Sequence, residues 1–248
     1  MGVTFAAVAF LPGLAFGSFL NVVAARVPLR RSLVHPGSAC MSCGTALAWY
    51  DNVPLLSFAL LRGRCRHCSA AIPWRYPLVE AVTALLVTAS VLRFGLTADA
   101  AVAAFFCAVL VAISATDIEH RIIPNRIVLP AAAIVLVANT MLHPSVKWAV
   151  AGAGAALFLL VAALAYPGGM GMGDVKLALL LGVALGPTVP VAMMVGMISA
   201  LVPSVVLYAR HGSAARKMRI PFGPFLAFGG VVALFAGTAI LHAYLSLL

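Results

Sequence analysis

Long apolar runs separated by short polar breaks follow one another from end to end of the chain, and the breaks say more than the runs. A helix needs about 17–25 apolar residues to cross the ~30 Å hydrocarbon core of a bilayer. The pattern predicts spans over 4–25, 77–93, 100–116, 127–142, 148–166, 177–186, 189–209 and 222–247, with the sixth and seventh separated at Gly186, Pro187 and Pro190. Backbone groups in lipid must be satisfied within their own segment, so such runs form helices. The expected fold class is an all-α polytopic membrane protein with about eight transmembrane helices and a cytoplasmic zinc-binding loop domain. Its parts are a first transmembrane helix (1–25), the loop domain (26–76) and a membrane core (77–248).

Composition agrees. The chain is 64% apolar and 9% charged with a mean hydropathy of +1.11, whereas about a quarter of a soluble domain is charged. The first run has no Lys or Arg before Arg26 and no small-residue cleavage site, which reads as a retained helix. Positive charge marks the cytoplasmic side, so the N-terminus is expected outside and the 26–76 loop inside. Eight crossings then place fourteen basic residues inside, among them Arg210, Arg216, Lys217 and Arg219, and leave only Arg93 and Lys147 outside. Merging 177–209 into one crossing weakens this split to ten against six. Topology and contact with anionic lipid thus account for the formal charge of +10, and no nucleic-acid partner is expected. Trp148 and Tyr166 bracket the fifth span as interface anchors.

Within the loop, Cys40-Met-Ser-Cys43 and Cys65-Arg-His-Cys68 are two C-x2-C knuckles separated by 21 residues. That spacing lets four thiolates close a tetrahedron around one zinc ion, a structural arrangement with no open position for catalysis. Two disulfides are the alternative, disfavoured in a reducing cytoplasm. His67 has no vacancy to fill, and Cys107, alone in an apolar span, reads as core packing. Arg62, Arg64 and Arg66 beside the second knuckle also suit a nucleic-acid-gripping ribbon, the weaker reading in a membrane-anchored loop.

Only six residues of 248 are acidic, and two of them, Asp117 and Asp174, stand at same-side ends of apolar runs. A carboxylate beside a membrane core usually faces a partner or a water-filled cavity. Asp174 follows the glycine-rich Gly171-Met172-Gly173, which gives an extended substrate backbone room, and Asp117 opens the run to Pro124-Asn125. Either acid alone is adequately explained as a helix cap or as the partner of Arg121 or Lys176. Together they can share one proton, as aspartic proteases require. Glu119 has a weaker claim, because two positions along a helix turns it away from Asp117.

The order Gly17-Ser-Phe-Leu-Asn21, the two knuckles with Trp49-Tyr50-Asp51-Asn52-Val53-Pro54 between them, Tyr76-Pro77-Leu78-Val79-Glu80, the Asp117 run, Gly171-Met-Gly-Asp174-Val-Lys176 and Pro221-Phe-Gly-Pro-Phe225 resembles the type IV prepilin peptidases. The cysteine loop is similar to that of their bifunctional bacterial members. The resemblance implies a multi-pass protein of the bacterial cytoplasmic membrane. It also implies prepilin or pseudopilin partners cut at the cytoplasmic face by Asp117 and Asp174, and N-methylation of the new terminus from S-adenosylmethionine. Gly171, Gly173, Lys176, Glu119, Glu80 and Asp51 are the expected supporting and substrate-binding residues; the last three are the acids left to meet a basic leader. Two positions depart from the family pattern: Met41, where proline is common, and Asn125, where aspartate is frequent.

An ion-coupled transporter is the rival reading, since intramembrane carboxylates also mark ion paths. Both acids at one interface and no evident inverted repeat speak against it. A zinc-loop scaffold without activity leaves the paired aspartates no task.

Overall fold

The computed structural model describes residues 2–166, 170–212 and 220–246, with the side chains of 2–6 left out. Arg216, Lys217 and Arg219 therefore lie outside the described residues. The chain divides into two compact units, Met1–Ala115 and Thr116–Leu248.

In the first unit, α1 (Gly2–Arg26), a short α2 (Leu56–Leu60), α3 (Arg75–Phe94) and the start of α4 (Ala98–His120) frame the cysteine loop. Gly13 and Gly17, four residues apart, lie on one stripe of α1. A Cβ added at Gly17 would come within 2.6 Å of the Glu80 Cα, and one at Gly13 within 2.8 Å of the Ala84 Cα. Small residues at this spacing let two membrane helices touch backbone to backbone, which is how α1 and α3 associate where lipid offers no hydrophobic driving force. Leu20 of α1 packs with Ala108 and Ala112 of α4.

The second unit holds the end of α4, then α5 (Asn125–Leu142), α6 (Lys147–Ala165), α7 (Met172–Leu185), α8 (Val189–His211) and α9 (Gly223–Leu245). Among the described residues seven stretches are long and apolar enough to cross a membrane, and one of them, Met172–His211, has 40 residues. A helix of that length would run about 60 Å, twice the hydrocarbon core. Instead it breaks at Gly186, whose φ of +55° and ψ of −128° end α7. Only glycine adopts such a conformation without a Cβ penalty. A Cβ at Gly237 of α9 would meet Thr188 at 3.0 Å, and one at Gly196 would meet the Leu226 Cα at 3.1 Å. Across those eight residues α8 therefore runs back along α9 toward its N-terminus, and Met172–His211 is two helices rather than one.

Where α7 ends, its last carbonyls have no helical partner. Asn139 of α5, buried at 7% exposure, donates to the Val183 carbonyl at 2.9 Å, and the Thr188 hydroxyl donates to the Leu185 carbonyl at 3.0 Å.

Two expected boundaries move. The third span does not stop before Asp117: α4 continues to His120, so Asp117 and Glu119 lie in its last turn. Arg121, at φ +54°, donates its N–H to the Asp117 carbonyl at 2.9 Å and ends the helix in a left-handed cap. The sixth span begins at Met172 rather than 177, which puts Asp174 inside its first turn. There its carboxylate accepts the Gly171 N–H at 3.2 Å and satisfies one of the orphan donors of a helix start.

Candidate active site and cysteine cluster

Asp117 and Asp174 are both buried, at 6% and 8% exposure, and close enough for their charges to interact. Each is held by a backbone N–H at a helix start. For Asp117 the donor is Gly223, the first residue of α9, at 2.9 Å from Oδ2. The free amides and positive dipole end of a helix N-terminus favour a carboxylate there. Gly223 has no room for a side chain, since a Cβ would lie 2.8 Å from the same oxygen. Gly173 is needed for a similar reason: its Cβ would sit 2.9 Å from that of Ile123, so glycine lets the start of α7 close onto the turn that follows Asp117. Lys176 reaches the same turn and donates to Asn125 Oδ1 at 2.8 Å. The amide at 125 thus still supplies the acceptor that an aspartate would. Gly171 is the exposed residue before α7, and Glu119 is exposed, 3.9 Å from the His120 Nε2.

The second group of residues belongs to the first unit. The four cysteine sulfurs lie within 4.8 Å of one another, and Cys40 Sγ is 3.8 Å from Cys68 Sγ. A tetrahedron of ~2.3 Å metal–sulfur bonds has edges of about 3.8 Å, so the cluster suits one metal ion. The two knuckles repeat each other at an offset of 25 residues. Ala39 bridges Ala46 as Arg64 bridges Ala71, and Cys40 and Cys65 each donate an N–H five residues ahead, to Thr45 and Ala70. Backbone N–H groups pointing at sulfur lower the Cys40 thiol (from Cys43 and Ser42) and the Cys65 thiol (from Cys68 and His67). At Cys68 the Ala70 N–H also lowers the thiol, but burial and the three neighbouring sulfurs outweigh it and push it to about 12. Crowding four thiols is costly until a cation sits among them. The residue after each knuckle takes a left-handed conformation, Gly44 at φ +72° and Ser69 at +58°.

Asp51 is not a free acid. Its Oδ1 accepts two hydrogen bonds from Arg66 at 2.8 and 3.1 Å, tying the Trp49–Asn52 turn to the second knuckle, and Asp51 raises the Arg66 guanidinium through that hydrogen bonding and its charge. Glu80 lines a cavity of about 260 Å³ bounded by α1, α3 and the loop. Its carboxylate accepts the Leu55 N–H at 2.9 Å and a hydrogen bond from Ser18, and Leu55 sits at φ +58°.

Sequence reasoning did not anticipate Asn139, the role of Gly223, or the left-handed Arg121. Gly223 was visible inside Pro221-Phe222-Gly223-Pro224-Phe225 but gives no sign of which carboxylate it touches, 106 positions away. The knuckle repeat was legible as a 25-residue offset, with Ser69 standing where the first copy has Gly44.

Fold and site define a polytopic helical membrane protein with a buried aspartate pair and a four-cysteine loop. Residues 11–94 match the bacterial Peptidase A24 N-terminal domain, and residues 104–208 match the type IV leader peptidase family. The chain belongs to that family. A Bacillus subtilis protein is 34% identical over 251 residues, covering 96% of this chain and 97% of its own length. A Pseudomonas aeruginosa protein is 35% identical over 267 residues, with 95% and 91% covered. A Myxococcus xanthus protein is 49% identical over 129 residues, 52% of this chain and 38% of its own. All three bear the name prepilin leader peptidase/N-methyltransferase. No solved structure matches significantly.

Proposed function

We infer that the protein is a membrane-embedded peptidase that removes the leader of type IV prepilins or pseudopilins and N-methylates the new terminus. Membership of the leader peptidase family over nearly the whole chain supports this reading, and a transporter is not supported. For the cleavage site, the carrying observation is the buried pair of carboxylates, each held by a backbone N–H, with the charge of Asp117 acting on Asp174.

In the proposed mechanism Asp117 and Asp174 work with one proton between them. The ionised member takes a proton from water, the water oxygen attacks the scissile carbonyl, and the protonated member polarises the carbonyl oxygen. A proton then passes to the leaving amine. The Gly223 and Gly171 amides fix the two carboxylates, so little reorganisation is needed when charge moves. Gly171 leaves room for the extended substrate, and Gly173 packed on Ile123, with Lys176 on Asn125, fixes the turn behind the pair.

The loop carries the second activity and the metal. Cys40, Cys43, Cys65 and Cys68 hold one structural zinc, and Asp51 and Glu80 support methyl transfer. S-adenosylmethionine, when bound, supplies an electrophilic methyl group; the loop's part is to bind and orient. The excess of basic residues at 26–76, 121, 126, 176 and 210 puts both sites on the cytoplasmic face, with the N-terminus outside. Anionic lipid headgroups supply much of what meets a basic leader, because Asp51 is engaged by Arg66 and Glu119 lies beside His120.

The test incubates purified protein with a prepilin-like peptide and weighs the products. Asp117→Asn or Asp174→Asn should abolish cleavage in a folded, inserted protein, while Asp174→Asn should still methylate a pre-cleaved peptide. Near-normal cleavage by either variant would end the aspartic-peptidase reading, and loss of methylation in Asp174→Asn would show the two activities to be inseparable.

A further inference from the structure

Two carboxylates line the cavity of the first unit, and among the described residues only Asp51 has an ion pair. Asp51 and Arg66 neutralise each other. Arg26 spends its guanidinium on loop carbonyls, donating to Ser32 at 3.1 Å and Gly37 at 3.2 Å. Glu80 is 8% exposed and, among the described residues, forms no ion pair; its partners there are the Leu55 N–H and Ser18. An ionised carboxylate offers about four lone-pair sites, so two remain for a ligand. A buried carboxylate without a counter-ion is costly, and the cost is relieved either by a proton or by a ligand that brings the opposite sign.

The rest of the lining says which cation. Val22, Leu47, Phe58, Ile72 and Tyr76 make the cavity predominantly apolar. A compact, strongly hydrated ion loses more on entering such walls than an onium ion, whose charge is spread over carbon, and aromatic surface favours onium ions further. We propose that this cavity binds a sulfonium methyl donor, with the Glu80 carboxylate as counter-ion to its positive sulfur. The assignment rests on the methyl-transfer reading above. It also gives the site a means of exchange: when the methyl carbon leaves, the C–S electron pair stays on sulfur, the spent donor is a neutral thioether, and Glu80 no longer holds it.

Equilibrium dialysis of S-adenosylmethionine and S-adenosylhomocysteine against the full-length protein in detergent tests this directly. Glu80→Gln keeps an oxygen for the Leu55 N–H but removes the charge. It should weaken the sulfonium ligand about tenfold, or ~1.4 kcal/mol, and leave the thioether unchanged. Glu80→Asp should retain a preference for the sulfonium. An unchanged sulfonium-to-thioether ratio in Glu80→Gln, or an equal loss of both ligands, overturns the counter-ion role while leaving methyl transfer by the loop intact. Glu80→Gln binding the donor normally but a free-amine peptide poorly would mean that the cavity holds the acceptor, which also overturns it. Wild-type protein that binds neither ligand would remove the methyl-donor reading of the loop itself.

Discussion

Gly223→Ala isolates one atom of the proposed dyad. The new Cβ would stand 2.8 Å from Asp117 Oδ2 and 3.3 Å from its Cγ. Ordinary carbon–oxygen contact requires the carboxylate to withdraw by about 0.6 Å, and the same movement draws it off the Gly223 N–H that holds it at 2.9 Å. A hydrogen bond to a charged group contributes about 1.5–3 kcal/mol. If that interaction positions Asp117 for the transition state, its loss lowers kcat by roughly ten- to hundredfold. Stability should fall by up to about 1.5–3 kcal/mol for the lost hydrogen bond, since alanine's helix preference of at most ~1 kcal/mol is a helix-interior figure and Gly223 starts the helix. The measurement is single-turnover cleavage of a prepilin-like peptide, with thermal unfolding and metal content as controls. A rate within twofold of wild type, in a protein as stable as wild type, would refute the idea that the α9 N-terminus sets the Asp117 geometry.

Metal analysis should return about one zinc per chain, and stripping it with a chelator should unfold the 26–76 loop as seen by protease sensitivity. Protein with no metal and four disulfide-bonded cysteines would contradict both the metal and the cytoplasmic placement. Ser69→Gly should relieve the left-handed backbone at the second knuckle, worth ~1 kcal/mol, and slow zinc release to a competing chelator about fivefold; equal or faster release would show that Ser69 is unstrained. Asp51→Asn should break the double hydrogen bond to Arg66 and depress methylation more than cleavage, read as the ratio of the two products; equal losses would count against the division of labour between loop and dyad.

The sequence alone determined the elements and the chemistry each carries. Apolar runs have only one backbone solution in lipid, so the helices were readable, and so was the break at Gly186, because glycine and proline disrupt the helical ladder locally. Four cysteines in two short knuckles announce a tetrahedral site for the same local reason. Two acids in a chain nearly without them singled out the proposed dyad, and basic residues counted along the breaks supplied an expected orientation. Tertiary structure decided which groups meet. Asp117 and Gly223 are 106 positions apart, Asn139 and Val183 are 44 apart, and Lys176 finds Asn125 across 51. No periodicity encodes such pairs; they follow from how close two helices can come, and that depends on where both lack a Cβ. Glu80 makes the point most sharply: in sequence it is one more acid near a span, and only the packing of α3 on Gly17 with the loop folded over it turns it into a buried carboxylate that faces a cavity and has no ion pair among the described residues.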